Sequence, residues 1–143
     1  RLYRALVEER RLAVSVAARA STSGLGGGSV SVSATPAEGV SLEALEAAID
    51  EVIAIYLRDG PTEAELTRAK NSLAAAAIYA RDSQESVANM YGASLAQGES
   101  IDDIVNWGRD VRAVTREEAL AMARATLDID ASVTGWLLPE AGQ

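Results

Sequence analysis

The 143 residues contain no cysteine and no histidine. Without thiols there is no disulfide framework, no thiolate nucleophile and no sulfur-ligated zinc or iron–sulfur centre. Without imidazole the most common general base is missing, together with the histidine-bound zinc sites of peptidases and deaminases. Phenylalanine is also absent, aromatics make up 4% of the chain, and a single lysine accompanies twelve arginines. Set against twenty-one Asp and Glu, these cations leave a formal net charge of -8. That balance argues against nucleic acid, whose affinity comes mostly from clustered Lys and Arg, so no nucleic-acid partner is expected. Long apolar runs are missing too. The longest uncharged stretch, residues 20–37, is full of Ser, Thr and Gly, whereas a membrane span needs roughly 20 mostly apolar residues. No signal peptide is visible, and the start at Arg1 reads as a processed chain or a fragment.

What is present is 48% hydrophobic, with 28 alanines, so the expected core is one of helices packed closely on small side chains. Leu2, Tyr3, Leu6 and Val7 recur at helical spacing within Arg1 to Arg11, with no N-cap residue in front of them. From Leu12 to Ala20 the period changes to two. Leu12, Val14, Val16, Ala18 and Ala20 are expected on one face of a half-buried strand. Val30, Val32 and Ala34 alternate likewise in Ser29 to Thr35, and the Gly-rich stretch Ser21 to Gly28 between them predicts a hairpin. Ser41 opens a helix with the stripe Leu42, Leu45, Ala48, Ile49, Val52, Ile53 and Leu57, which Gly60 and Pro61 stop. Thr62 with Glu65 forms a capping-box pattern before Leu66, Ala69 and Leu73. A second pattern, Asp82 with Glu85, leaves open whether one long helix or two follow. Ser100 with Asp103 and Thr115 with Glu118 start two more helices, and Ser132 to Leu138 alternates as a final strand closed by Pro139. The order predicts an α+β fold, with helices packed on one face of a small, largely antiparallel sheet. Three strands make a thin sheet, which points to strands missing upstream.

Few residues offer chemistry. Gly24, Gly26 and Gly28 lack the Lys and Ser or Thr of a phosphate-binding loop and the third Gly of a dinucleotide fingerprint, so a hairpin loop is the expected role. Carboxylate pairs such as Glu8 with Glu9, Glu63 with Glu65, Asp102 with Asp103 and Glu117 with Glu118 lie mostly in first helical turns, where capping explains them. Asp128 and Asp130 do not complete a calcium loop. Lys70 lies in the polar part of a helix. Trp107, Trp136, Tyr56, Tyr79 and Tyr91 are expected to pack in the core or on the sheet. No catalytic and no metal-ligating residue is assigned.

Four runs carry a resemblance: RLYRALVEERRLAVSVAA (Arg1 to Ala18), the segment Ala34 to Leu73, ARDSQESVANMYGASLAQGESIDDI (Ala80 to Ile104) and SVTGWLLPE (Ser132 to Glu140). Together they resemble the C-terminal part of a domain from the pitrilysin/insulinase family of zinc metallopeptidases. The most specific stretch holds Gly60, Glu65, Leu66, Ala69 and Lys70, similar to the family's G-x-T-x-x-E-L-x-x-A-K. The resemblance implies one partial domain over residues 1–143, a metallopeptidase-like half-domain lacking its N-terminal strands, from a protein built of α+β domains of about 200 residues or more. It implies that zinc sits in a catalytic H-x-x-E-H domain or subunit elsewhere, because this chain has no His.

In noncatalytic domains of this family an L-R-x-x-x-x-L-[GA]-Y pattern supplies Arg and Tyr to the substrate backbone. Aligned on Leu6 to Val14, it places Val7 at the Arg and Val14 at the Tyr, and neither valine can donate a side-chain hydrogen bond. Substrate-binding residues therefore stay unassigned, and Arg10 and Arg11 read as solvated surface. The resemblance implies a noncatalytic domain that helps enclose peptide substrates for a catalytic partner. A structural or assembly subunit without activity is the alternative, and a free-standing α+β binding module that dimerises through exposed strand edges is a third. The residues leave the location open; the resemblance is compatible with a bacterial, exported setting such as the periplasm.

Overall fold

The computed structural model describes residues 1–21 and 28–138. They form two compact units. One holds residues 1–21, 29–59 and 123–138, and the other holds residues 60–122.

The first unit begins with a π-helical segment, Arg4–Glu9, entered through Leu2 and Tyr3. Its side chains do cluster as a helix, but the wider turn ends at once. The Arg10 N–H donates to the Ala5 carbonyl at 3.0 Å, the Leu12 N–H donates to the Leu6 carbonyl at 2.8 Å, and Arg11 between them takes a left-handed φ of 53°. The chain then runs into β1 (Ala13–Ser21), which pairs antiparallel with β2 (Ser29–Pro36), as the alternation predicted.

The inward face of β1 differs from the expectation. Ala13 pairs with Pro36 and Ser15 with Thr35, so two steps on β1 oppose one on β2, and Val14 is the extra residue of a bulge. One inserted residue reverses the side-chain phase. Val14 is 61% exposed, whereas Leu12 and Ala13 both pack inward. Val16, opposite Ala34, is the next β1 side chain to touch the core.

The helix α1 (Leu42–Asp59) follows, with the Ser41 hydroxyl accepting the Ala44 N–H at 3.2 Å. Leu45, Ala48 and Val52, one helical stripe, bury against Leu6 and Ala13, and Ile49, Val40 and Val7 pack around them. Each fully buried Leu or Val in this cluster contributes about 1.5–3 kcal/mol. The last carbonyls of α1 need donors, and Arg124 supplies one, Nε to the Leu57 carbonyl at 2.9 Å.

The second unit contains α2 (Glu63–Tyr79), α3 (Gln84–Ala96), α4 (Ile101–Ala113) and most of α5 (Arg116–Thr126). The question left open around Asp82 resolves to two helices. The Arg81 and Asp82 N–H groups bond three residues back, to Ile78 and Tyr79, and this tight turn ends α2. The cap of α3 is Ser83 rather than Asp82, with its hydroxyl accepting the Ser86 N–H. α4 packs on both α2 and α3 and buries Ile104.

Ser132 to Leu138 is not a strand. After a short 3-10 turn, Ile129–Ala131, these residues are irregular and exposed, and none of them pairs with β1 or β2. The sheet of the described residues is therefore the two-stranded hairpin. Pro139, Gly24 and Gly26 lie outside the described residues. The architecture remains α+β.

Candidate functional site

The best-defined geometry gathers around the segment Gly60 to Lys70. Gly60 is buried with φ of 75°, a conformation in which a side chain is strained. A Cβ placed there would lie 3.2 Å from Leu120 Cδ2. Next to it, the Pro61 carbonyl accepts from Arg116 Nε at 2.6 Å. Thr62 and Glu65 then cap α2 reciprocally: the Thr62 hydroxyl accepts the Glu65 N–H at 3.2 Å, and the Glu65 carboxylate accepts the Thr62 N–H at 2.8 Å. One turn on, Lys70 Nζ donates to the Arg112 carbonyl at 2.9 Å. The sequence alone placed this lysine among polar surface. It is half-buried and serves as a cation at the C-terminal end of α4, where backbone carbonyls lack helical partners.

The carboxylates lie where helix starts need them. Asp103 is held below the ordinary carboxylate range by the Ser100 hydroxyl and then the Ser100 N–H. Glu118 is lowered by the Thr115 N–H, then by the Thr115 hydroxyl and the charge of Lys70. Glu51 is lowered by its hydrogen bond and ion pair with Arg10. Arg10 is thus exposed but paired to α1.

Zinc requires converging nitrogen, sulfur or carboxylate ligands. The chain has no His or Cys, and among the described residues no three Asp or Glu side chains come close enough to share a metal ion. The residues present do not fit a zinc site.

Val7 is half-buried against the core, and Val14 projects from the bulge of β1. The neighbouring positions of the same pattern, Leu6, Leu12 and Ala13, all pack in the core. The aromatic residues are not the core filling expected of them. Tyr79 is 74% exposed, Trp107 and Trp136 are also exposed, and half-buried Tyr56 carries the Arg1 guanidinium 5.1 Å from its ring centre. Two shallow grooves stand out among the described residues. One, of about 330 Å³, is lined by Val40, Ser41, Leu42, Glu43, Trp136 and Leu138. The other, of about 580 Å³, lies between the end of α4 and α5, beside Asp110, Val114, Glu118 and Met122. Neither brings a nucleophile and a base together.

The sequence pattern of the family described as Peptidase M16 inactive domain matches residues 1–73. The chain belongs to this family. It is the noncatalytic domain type of the pitrilysin/insulinase-like metallopeptidases, as the resemblance implied. The matched region of the M16 inactive domain spans the π-helical segment, the hairpin, α1 and the Gly60 to Lys70 segment. No curated protein matches the chain in sequence. Among solved structures, one described as "The crystal structure of a protease from Helicobacter pylori" is similar at a TM-score of 0.72 and 22% identity, over 86% of this chain. The chain spans 29% of that protease's length. At this identity the likeness shows the fold.

Proposed function

We propose that this inactive domain forms part of the wall of a peptidase chamber, packing with a catalytic H-x-x-E-H domain or subunit and helping to enclose peptides that the partner cleaves. Zinc is placed in that partner. The observation that carries the reading is the family match over residues 1–73 in a chain with no histidine. The net charge of -8 would favour basic or neutral peptides over acidic ones in such a chamber. Val7 and Val14 make no polar contact with a peptide in this reading, so substrate binding draws on other residues. Hydrolysis of a fluorogenic peptide tests it. The chain alone is expected to be inactive, and its complex with an H-x-x-E-H partner active and abolished by a chelator.

A second reading is an assembly subunit that keeps the peptidase fold without supporting hydrolysis. Valines in place of both substrate-holding residues favour it. Chelator-sensitive hydrolysis by the complex would overturn this alternative, and a stable but inactive complex would overturn the first. A second copy of the chain is also proposed as a partner.

A further inference from the structure

The bend between α4 and α5 is tied to the segment Gly60–Lys70 on both of its sides. Before the bend, Lys70 Nζ donates to the Arg112 carbonyl at 2.9 Å, in the last turn of α4, where carbonyls lack helical partners. After it, Arg116 Nε donates to the Pro61 carbonyl at 2.6 Å, and Leu120, one turn further along the same face of α5, fills the space that a side chain at Gly60 would need. The bend itself carries the cap of α5, in which Thr115 and Glu118 bond reciprocally and the Lys70 charge reaches Glu118. Lys70 thus serves the negative end of α4 and the carboxylate that starts α5. Apolar burial adds little: α2, α3 and α5 have no buried residue, and α4 has Ile104. The groove beside the bend is lined by Asp110, Val114, Glu118 and Met122, so these ties fix both of its walls.

We propose that Gly60–Lys70 is a latch on residues 112–120, with the Lys70 cation as its catch: the end of α4 and the start of α5 open as one piece, and loss of that cation opens them. The latch goes beyond the peptidase reading and does not rest on it. An ammonium has three donors and no acceptor, so it can meet a carbonyl and still face a carboxylate. Without it, the Arg112 carbonyl and the Glu118 carboxylate both lose a favourable charge, and Arg116 and Leu120 are left to hold the bend. The two helix ends move together because only Val114 and Thr115 join them, too short a link to absorb the motion of one helix alone. Segments with few buried apolar contacts open locally, in contiguous cooperative pieces, at less cost than global unfolding. Opening here parts the walls of the groove, which makes its shape depend on the charge at residue 70.

Amide hydrogen exchange of the 143-residue chain, resolved by residue, tests the latch. Lys70→Met keeps the apolar stem and removes the charge. It should speed exchange at Val114, Glu118 and Ala119 together by about tenfold, while the amides of α3 stay within about twofold of wild type. Lys70→Arg keeps a cation and should stay within a few fold at all three. Arg116→Gln leaves Lys70 in place and should speed the same three amides, so it reads the latch even if Lys70→Met does not fold. In Lys70→Met with Glu118→Gln, the acceleration should fall short of the product of the two single effects, because one interaction is shared. Acceleration at Val114 without Glu118 and Ala119 overturns the latch, since the helix ends then open separately. Equal acceleration throughout α3 overturns it as well, since Lys70 then supports the whole unit rather than the bend.

Discussion

Two backbone positions with left-handed φ carry opposite predictions. Gly60 needs its missing side chain twice, for φ of 75° and for the Leu120 methyl 3.2 Å from where a Cβ would sit. Gly60→Ala should therefore lower stability by about 1–2 kcal/mol, seen as a lower urea midpoint at unchanged slope. Arg11 adopts φ of 53° with a side chain that gains nothing from it in hydrogen bonding among the described residues. Arg11→Gly should raise stability by about 0.5–1 kcal/mol in the same experiment. The first position was legible in sequence as a helix stop, because Gly before Pro has few other uses. The second was not, since no residue type marks a π-helical exit. Leu6, Leu12, Val7 and Val14 make a related point. Leu6 and Leu12 fill the core, whereas Val7 and Val14, the positions to which the resemblance would assign substrate contact, carry no polar side-chain group.

At the scale of elements, helix starts were the most readable feature. Thr62, Ser100 and Thr115 each cap a helix reciprocally with an acid three residues on, because the motif is short and needs no distant partner. The same geometry sets an acid sensitivity. Asp103, Glu118 and Glu51 all have folded pKa values below their ordinary ones. Their ionised forms favour the folded state, so the contribution is complete above the unfolded carboxylate values near 4 and is lost as pH falls through the lower folded values. Urea midpoints should stay level from neutral pH to about pH 5 and fall below it. Asp103→Asn and Glu118→Gln should each be less stable near neutrality and show a shallower acid limb. The inward face of β1 departs from the simple alternation for a reason that is not local. Alternation identifies a strand, but the register shift at Val14 depends on how β2 closes against Leu12, through the Ala37 N–H to Leu12 carbonyl bond at 2.9 Å.

For the whole molecule, the described core is small and the exposed apolar side chains are large, including Ile78, Tyr79, Ile101, Val105, Met122, Val133 and Leu137. A two-stranded hairpin alone contributes little independent stability. If the chain packs with a catalytic domain, binding to the folded form must stabilise it by mass action. Its thermal midpoint should then rise by several degrees with a saturating H-x-x-E-H partner, and at constant chain concentration the rise should track partner concentration. A midpoint independent of added partner would count against the chamber reading and leave the fold untouched.

The sequence by itself determined the α+β class, the hairpin, the helix starts and the family, because each follows from local periodicity, capping chemistry or motif order. It also denied the chain imidazole and thiol chemistry, since composition is independent of folding. Only the tertiary structure decided that α2 and α3 are separate, that Lys70 binds the Arg112 carbonyl across 42 positions of chain, and that Ser132 to Leu138 lies unpaired. The Lys70 contact and the missing strand partner depend on residues distant in sequence, whereas the break at Asp82 turns on which of two local hydrogen-bond patterns forms. A strand pattern records which side chains suit a sheet, but a strand exists only where another strand offers its backbone groups.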